Sequence, residues 1–182
     1  MDILTAIGLA LPAGLNAYIP LLGLALAQRF GVVSLAEPWS QLGEWWAIAL
    51  IAVLLLVEVF ADKIPVVDHI NDVVQTFIRP AAGAIVAVAA SGQAGQNYTL
   101  AMVALGILLA GGVHAIKAGA RPIVNTATAG AGAPVASTAE DIAAIGSTAI
   151  ALLVPVLVLA VIVLTLVVAW LVYSRRRARS AA

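Results

Sequence analysis

Apolar residues dominate this chain in long stretches, which polar residues interrupt at only a few places. Residues 3–28 and 45–60 are almost wholly apolar, and about 20 such residues in a helix cross a ~30 Å hydrocarbon core. Residues 98–120 form a third stretch, rich in the glycine and alanine that let membrane helices approach closely. The last stretch runs from about 139 to 173, with Pro155 in its middle. Each stretch predicts a membrane-spanning helix.

The segment 65–90 has a mixed pattern. Between 65 and 79, apolar side chains recur at spacings of three and four, which places them on one helical face and polar side chains on the other. Pro80 disfavours helical geometry at the residue before it, and an alanine-rich stretch follows to residue 90. The segment therefore predicts one kinked crossing or, as the alternative, an interfacial helix followed by a re-entrant half-helix at 80–90.

The first apolar stretch contains residues that interrupt helices. Pro12, Gly14, Asn16 and Pro20 lie within it, and proline removes a backbone donor and clashes with the preceding turn. We therefore expect a kink or a break between residues 11 and 18, which is either a simple proline kink or an unwound ligand-binding segment. The residues before the stretch include Asp2 but no lysine or arginine, so we expect a retained helix and not a cleaved signal peptide.

Composition narrows the class of protein. Hydrophobic residues make up 63% of the chain and charged residues 10%, whereas a soluble domain has about 25% charged residues. These values exclude a soluble cytosolic enzyme, and a net charge of zero offers no attraction for nucleic acid. The sequence has no cysteine and neither an HExxH nor a GxSxG motif. We therefore expect no enzymatic activity and no cofactor.

A basic tail sets the expected topology. Arginines crowd positions 175–179, as is typical of the cytoplasmic side. The sequence predicts an all-α, polytopic transmembrane bundle of about five spans with kinked or re-entrant helices, in a single domain (1–174) followed by a cytoplasmic tail (175–182). Five spans would place the connections near 61–68 and 121–141 on the opposite side. Residues 121–135 are expected to form a loop, after which Ser137 and Glu140 form a capping box at the start of the last helix.

Most of the remaining charged residues, Glu58 among them, fall within or beside the predicted spans. An ionisable residue at the centre of a membrane helix costs about 2.5–3.5 kcal/mol, so such residues usually pair with one another or face a watery cavity. The predicted set of pathway residues is Asn16, Asp62, Asp68, His69, Asp72, Arg79, His114, Lys117, Arg121, Asn125, Glu140 and Asp141.

Four roles for these residues are open. They can be structural ion pairs between helices, or they can line a solute or ion pathway in which aspartate and histidine exchange protons. A third role is a Mn²⁺ or Zn²⁺ site at Asp68, His69 and Asp72, with His114 as a further ligand. The fourth is an intramembrane enzyme.

Several polar motifs inside the apolar sequence are familiar. They are DKIPVVDH at 62–69, FIRP at 77–80, GLNAY at 14–18, HAIKAG at 114–119, VNT at 124–126 and AED at 139–141. Over nearly the whole chain, this pattern resembles the bacterial membrane family catalogued as domain of unknown function 4126. The small residues that follow Asn125 depart from the family pattern. The resemblance implies an integral membrane protein and no established activity.

Together these observations predict a multi-pass protein of the cell membrane with a cytoplasmic C-terminus. The predicted function is that of a transporter or channel, in which a small solute or ion crosses through a polar vestibule inside the membrane. The alternative is a non-transporting membrane assembly or lipid-binding module whose buried charges are structural. The lipid bilayer, an unidentified solute or ion and a second copy of the chain are the expected partners, and nucleic acid is not one.

Overall fold

The computed structural model describes residues 1–61, 65–128 and 131–180, without the side chains of residues 65–70, 72, 125, 169 and 172–180. The described residues form eight α-helices, a short 3₁₀ helix at Trp39–Gly43 and no strand. The helices are α1 (Ile3–Ala13), α2 (Tyr18–Arg29), α3 (Trp45–Ala61), α4 (Pro65–Ala90), α5 (Gln93–Asn97), α6 (Thr99–Ala127), α7 (Ala133–Leu153) and α8 (Val156–Ser180).

Three helices of the described part are long and apolar enough to cross a membrane: Val73–Ala90 within α4, Thr99–Val124 within α6, and α7. The segments Ile3–Ala13, Trp45–Ala61 and Val156–Val168 are shorter apolar helices. The predicted all-α class is therefore confirmed, and the chain has the helices of a membrane protein.

The first apolar stretch is a helical hairpin and not a single kinked span. α1 and α2 are separated by residues 14–17, so the predicted break is confirmed. Gly8 of α1 packs against Ala151 of α7. After the break, Ile19 lines one groove with Asp141, and Gly23 packs against Thr148. α1 therefore runs antiparallel to α7, and α2 runs parallel to it. Both outer ends of the hairpin lie at the same end of the bundle.

Asp2 caps the start of α1. Its carboxylate accepts hydrogen bonds from the Thr5 backbone N–H at 2.9 Å and from the Thr5 hydroxyl at 3.0 Å. The backbone N–H is the main reason that the pKa of Asp2 lies below its ordinary value. Since a carboxylate with a lowered pKa stabilises the folded state above its unfolded pKa, this cap weakens as the pH falls through the folded pKa.

Small residues bring the central helices into close contact. A Cβ added at Gly83 of α4 would lie 2.6 Å from the Gly106 carbonyl of α6, and one added at Gly14 would lie 2.3 Å from the Ala110 carbonyl. Glycine at these positions lets the hairpin and the antiparallel pair α4 and α6 pack backbone to backbone. The hydrophobic core lies around α1, with Leu9, Leu24 and Val86 fully buried in it.

The last apolar stretch is also two helices. α7 ends at Leu153 and α8 begins at Val156, on either side of Val154 and Pro155. Val158 contacts Gly8, and further along α8, Leu166 lines a cavity together with Leu15. α8 therefore turns back and runs in the direction of α1. Consequently the arginine tail emerges at the end of the bundle where α3 ends and α4 begins, which we call the tail end; the other end is the amino-terminal end.

This reversal corrects the predicted topology. The connections near 61–68 and 121–141 were expected opposite the arginine tail, but α3, α4, α6, α7 and α8 all have an end at the tail end. Five helices still run between the two ends of the bundle. The re-entrant element is α1–α2, whereas residues 80–90 complete the continuous helix α4.

Two local predictions near residue 130 are wrong. α6 continues through Pro122 to Ala127 where a loop was expected, and the Thr126 hydroxyl bonds the Pro122 carbonyl at 2.8 Å one turn back. α7 begins at Ala133, with a proline in its first turn, as proline's fixed φ allows. Ser137 is therefore buried inside the helix and does not cap it.

Candidate functional site

On four helices, the buried side changes from mainly apolar residues to polar or charged residues at the same depth in the bundle. In α6, the residues facing inward are Met102, Gly106 and Ala110, and then His114, Lys117 and Arg121. In α4 the inward-facing residues run from Val86 and Ala82 to Arg79 and Gln75. In α7 they run from Ala151 and Ala144 to Ser137. In α3 they run from Ile48 and Ile51 to Glu58. Toward the amino-terminal end, the described interior of the bundle has apolar residues and the uncharged Thr5, Ser91 and Thr148, and toward the tail end it has charged residues. We call Glu58, Arg79, His114, Lys117, Arg121, Glu140 and Asp141 the ion cluster.

The deepest pair of the ion cluster is Glu58 and Arg79. Glu58 lies two helical turns after Ile51 on α3 and so faces inward with it. Its Oε1 atom accepts from Arg79 Nη2 at 2.9 Å and from Nε at 3.3 Å. Neither side chain is exposed to solvent. A buried charge without a partner is strongly destabilising, so each residue allows the other to remain charged inside the bundle.

His114 extends this pair to α4 and α6. Arg79 Nη1 lies 3.0 Å from His114 Nδ1, and the Thr76 hydroxyl lies 3.1 Å from His114 Nε2. Because a guanidinium can only donate, Nδ1 must accept, which makes His114 a neutral imidazole with its proton on Nε2. Nε2 then donates to the Thr76 hydroxyl, so the tautomer follows from the two partners.

The second group of charges lies nearer the tail end and joins α6 to α7. Lys117 Nζ and Arg121 Nη2 lie 2.9 Å and 3.0 Å from the same oxygen, Oε2 of Glu140. Lys117 and Arg121 are buried, whereas the Glu140 side chain is 21% exposed. Lys117 also donates to the Leu15 carbonyl at the hairpin tip, at 3.0 Å.

The hairpin tip is stabilised by Asn16, which is 1% exposed. Its Oδ1 atom accepts from the backbone N–H groups of Tyr18 and Ile19 at 3.1 Å and 3.2 Å, and its Nδ2 donates to Asp141 Oδ1 at 3.0 Å. The predicted break is thus an asparagine-capped helix start held by α7. The cation Lys117 meets the carbonyl end of α1, and the anion Asp141 lies beside the amide end of α2, as the helix dipoles favour.

The structure therefore brings together seven of the predicted pathway residues: Asn16, Arg79, His114, Lys117, Arg121, Glu140 and Asp141. Asp62 lies outside the described residues. Asp68, His69 and Asp72 belong to α4 and Asn125 to α6, but their side chains lie outside the described part of the chain.

Three members of the site are absent from the predicted set. Glu58 lies two helical turns after the inward-facing apolar Ile51, and this spacing could have identified it. Thr76 lies on the predicted polar face of 65–79, but only the fold shows that it meets His114. The Leu15 carbonyl is a backbone group, for which the sequence has no signal beyond the predicted break.

Gln75 Oε1, Ser137 Oγ and Thr148 Oγ1 are buried and have no hydrogen-bond partner within the described residues. Gln75 lies one turn from Arg79 on α4, and Ser137 one turn from Asp141 on α7. Such groups usually bind water or a ligand when they are buried. Two of the three therefore extend the polar lining from the ion cluster toward the tail end.

The metal hypothesis gains no support from the described side chains. No group of three or more possible histidine or carboxylate ligands occurs among them. Both ring nitrogens of His114 already face Arg79 and Thr76. The described arrangement holds charged groups, hydrogen-bond donors and an interrupted helix at the same depth inside an apolar bundle.

One of the comparisons with known proteins identifies a family. The family model described as "Domain of unknown function (DUF4126)" matches residues 3–175. Searches of the curated proteins and of the solved structures find no match to the chain. The match covers α1 to α7, α8 as far as residue 175 and every member of the ion cluster, and the chain belongs to the DUF4126 family.

Proposed function

We propose that this protein is a transporter or channel in which a small solute or ion passes through a vestibule lined by the ion cluster. The supporting observation is the re-entrant hairpin. α1 has 11 residues, which at ~1.5 Å per residue reach about 16 Å, or half of a ~30 Å hydrocarbon core. Irregular backbone at that depth is tolerated where it is buried in protein or lines a water-filled cavity.

The buried sides of the helices change to charged residues at a common depth, which supports a vestibule that is open on one side. The hairpin and the small-residue contacts near Gly14, Gly83 and Gly106 fill the amino-terminal half of the interior. The tail half contains the ion cluster with Gln75 and Ser137. Discontinuous helices whose ends meet polar groups near the bilayer midplane are common in secondary transporters. In this proposal the hairpin is the barrier, and Lys117 and Asp141 hold its tip.

The arginine tail suggests the orientation. Under the positive-inside rule the tail end faces the cytoplasm, so we propose a cell-membrane protein whose vestibule opens to the cytoplasm. Lys117 and Arg121 are both buried in this half of the bundle, and ammonium and guanidinium groups bind anionic groups strongly, so a solute with an anionic group is the first class to test.

The test is a flux measurement in vesicles that contain the purified protein. Protons, potassium, chloride and acetate are followed separately, for wild type and for Lys117→Met, Glu140→Gln and Asp72→Asn. We expect accelerated flux of at least one probe in the wild type and a loss of about tenfold or more in Lys117→Met, equivalent to ~1.4 kcal/mol in the barrier. Glu44→Gln, at an exposed residue of the amino-terminal end, is the matched control for Glu140→Gln and should leave the flux unchanged.

Folding of each variant is followed by its thermal midpoint in detergent. Reduced flux with an unchanged midpoint supports the proposal. If the wild type moves none of the four probes faster than empty vesicles do, the proposed transport is wrong for these classes of solute.

The second candidate function is a non-transporting membrane assembly. The observation that favours it is the pairing of Glu58 with Arg79 and of Glu140 with Lys117 and Arg121 across helices. Under this alternative the variants above lose folding or assembly and never lose flux alone.

We also propose that the protein forms a homodimer. The outward face of α6 carries Leu108, Ile116 and Ile123, each more than two-thirds exposed. Gly112 and Gly119 lie on the same helix, and no described atom would come within 4 Å of a Cβ added at either. Light scattering of the detergent-solubilised protein measures the mass, and Gly112→Leu should reduce the dimer fraction if α6 is the interface.

A further inference from the structure

The amino-terminal end of the bundle carries exposed aromatic residues where two apolar helices begin. Trp45 and Trp46 are the first residues of α3, and each is more than half exposed. Tyr98, which is also more than half exposed, directly precedes the apolar part of α6 that begins at Thr99. Tryptophan and tyrosine are enriched where membrane helices meet the boundary between hydrocarbon and water. These residues therefore indicate the level of the lipid head groups at this end.

Arg29 lies at the same level, in the last turn of α2, and its side chain is exposed. Its guanidinium stacks on the Trp45 ring, with the central carbon 4.8 Å from the ring centroid. Stacking engages the face of a guanidinium and leaves its five N–H donors, which point outward in the plane of the group, available for other contacts. Within the described residues, Arg29 forms no ion pair and donates no hydrogen bond. The donors therefore face the head-group region.

The loop between α2 and α3 fixes the position of this stack. The Val32 N–H donates to the Ala27 carbonyl at 2.8 Å, and the Leu35 N–H donates to Gln28 Oε1 at 2.8 Å. Gly43, just before α3, packs closely against the Gln28 side chain, where a Cβ would lie 2.7 Å from Cγ. The end of α2 and the start of α3 are therefore joined through Gln28. Because this frame holds the ring and the guanidinium together, a ligand pays little ordering entropy when it binds them.

The chemistry of the guanidinium determines which group fits. Arginine donates two parallel N–H bonds to a phosphate group, and such charge-assisted bonds are roughly twice as strong as neutral ones. At the level of the lipid head groups, the phosphodiester of a phospholipid is the group of this kind. The exposed acids Asp2, Glu37 and Glu44 lie at the same end, so this end does not attract anions over a distance. Binding therefore has to come from direct contact with Arg29.

We propose that Arg29, held on the ring of Trp45, binds the phosphodiester of a phospholipid in the leaflet at the amino-terminal end. Because Arg29 lies in the last turn of α2, the bound lipid holds the outer end of the hairpin at the membrane surface. Binding here does not depend on the transport proposed above, since the site lies at the opposite end of the bundle from the ion cluster.

Photolabelling of the purified protein in detergent micelles tests the site. The probe is a phosphatidylglycerol with a diazirine at the start of one acyl chain, and the labelled residues are mapped by mass spectrometry. We expect saturable labelling around Arg29 and Trp45. Unlabelled phosphatidylglycerol and phosphatidylethanolamine should displace the probe about equally, because the phosphodiester is the group that they share. Diacylglycerol with the same chains, which has no phosphate, should displace it several-fold less well, and so should inorganic phosphate.

The two neighbouring tryptophans provide a matched pair of variants. Trp45→Leu removes the ring under the guanidinium and should weaken labelling several-fold. Trp46→Leu is the control, because Trp46 is exposed at the same end whereas the guanidinium stacks on Trp45, and it should label as the wild type does. Arg29→Gln should abolish saturable labelling, and Arg29→Lys, which keeps the charge without the two-pronged geometry, should restore part of it.

Several results would overturn the proposal. Equal labelling of the wild type and Arg29→Gln would show that Arg29 binds no lipid. Equal displacement by diacylglycerol would show that only the acyl chains bind, and equal displacement by inorganic phosphate would show a site for free phosphate. Displacement by phosphatidylglycerol alone would show recognition of net charge and not of the phosphodiester. The thermal midpoint of each variant is measured, and if Arg29→Gln does not fold, the displacement series on the wild type decides.

Discussion

The charged residues inside this bundle form pairs whose members lie far apart in the sequence. Glu58 on α3 and Arg79 on α4 are both fully buried. Removal of one member of a buried ion pair typically destabilises a protein by about 3–5 kcal/mol, whereas replacement of both by apolar residues is often neutral. The two charges therefore act as one unit.

We expect Arg79→Met to lower the free energy of unfolding by about 3–5 kcal/mol, because it removes the cation that bonds the buried Glu58 carboxylate and the donor to His114. The double variant Glu58→Met/Arg79→Met should recover most of that loss. Denaturation in mixed detergent micelles provides the measurement. Arg29→Met is the control, since Arg29 stacks on Trp45 with its guanidinium 4.8 Å from the ring centroid at the exposed amino-terminal end. Equal loss in Arg79→Met and the double variant would contradict the pairing.

The protonation of His114 is a second prediction at this scale. Its contacts with Arg79 and Thr76 require a neutral ring protonated on Nε2. Nitrogen NMR of the ¹⁵N-histidine protein at neutral pH should show this tautomer. The chain has 2 histidines, so His69→Gln leaves the His114 signals alone in the spectrum. A doubly protonated ring, or a proton on Nδ1, would show that Arg79 does not donate to His114.

At the scale of the helices, a single side chain forms the turn of the hairpin. Asn16 caps α2 through two backbone N–H groups and ties the turn to Asp141 on α7. We expect Asn16→Ala to cost about 1–2 kcal/mol, the upper range for a lost helix cap, because the tie to Asp141 is lost with the cap. The thermal midpoint in detergent should fall accordingly. Asn97→Ala, at the exposed end of α5, should leave the midpoint near that of the wild type.

The hairpin also shows what the sequence could and could not predict. Pro12, Gly14 and Asn16 predicted a break at the right place, since each has a local effect on the backbone. The direction of the chain after the break depends on packing between distant segments, such as Gly23 against Thr148. The same holds at Pro155, which was expected to interrupt one long helix and instead separates two antiparallel ones.

Near residue 130 the error is of another kind, because the sequence predicted a loop where the structure has a helix. A Pro-, Gly- and Thr-rich stretch predicted a loop, yet α6 continues through Pro122 to Ala127, and the hydroxyls of Thr126 and Thr128 bond carbonyls one turn earlier. This continuation keeps Arg121 helical and on the same face as Lys117, so that both reach Glu140. The sequence placed Lys117, Arg121 and Glu140 in the predicted set but did not predict the helix that aligns them.

At the scale of the whole molecule, the two reversals at Asn16 and Pro155 determine where the charge lies. α3, α4 and α6 each have a buried side without charge near the amino-terminal end and with charged residues near the tail end, and α7 adds Glu140 and Asp141 there. Since α8 returns to the tail end, the ion cluster and the arginine tail share one half of the bundle. In the orientation that we propose from the positive-inside rule, the charged residues would be near the cytoplasm, and the proposed vestibule would reach them over the shortest distance.

This arrangement predicts the labelling of single cysteines. The chain has no native cysteine, so cysteines placed at Ala131, between α6 and α7, and at Ser180, at the end of α8, give no background. An impermeant thiol reagent should modify both from the same side of oriented vesicles, and Gln96→Cys, between α4 and α6, only from the other side. If Ala131→Cys and Ser180→Cys react from opposite sides, α7 and α8 are one span, and the ion cluster then lies across the membrane from the tail. The shared side is therefore the result on which the cytoplasmic vestibule depends.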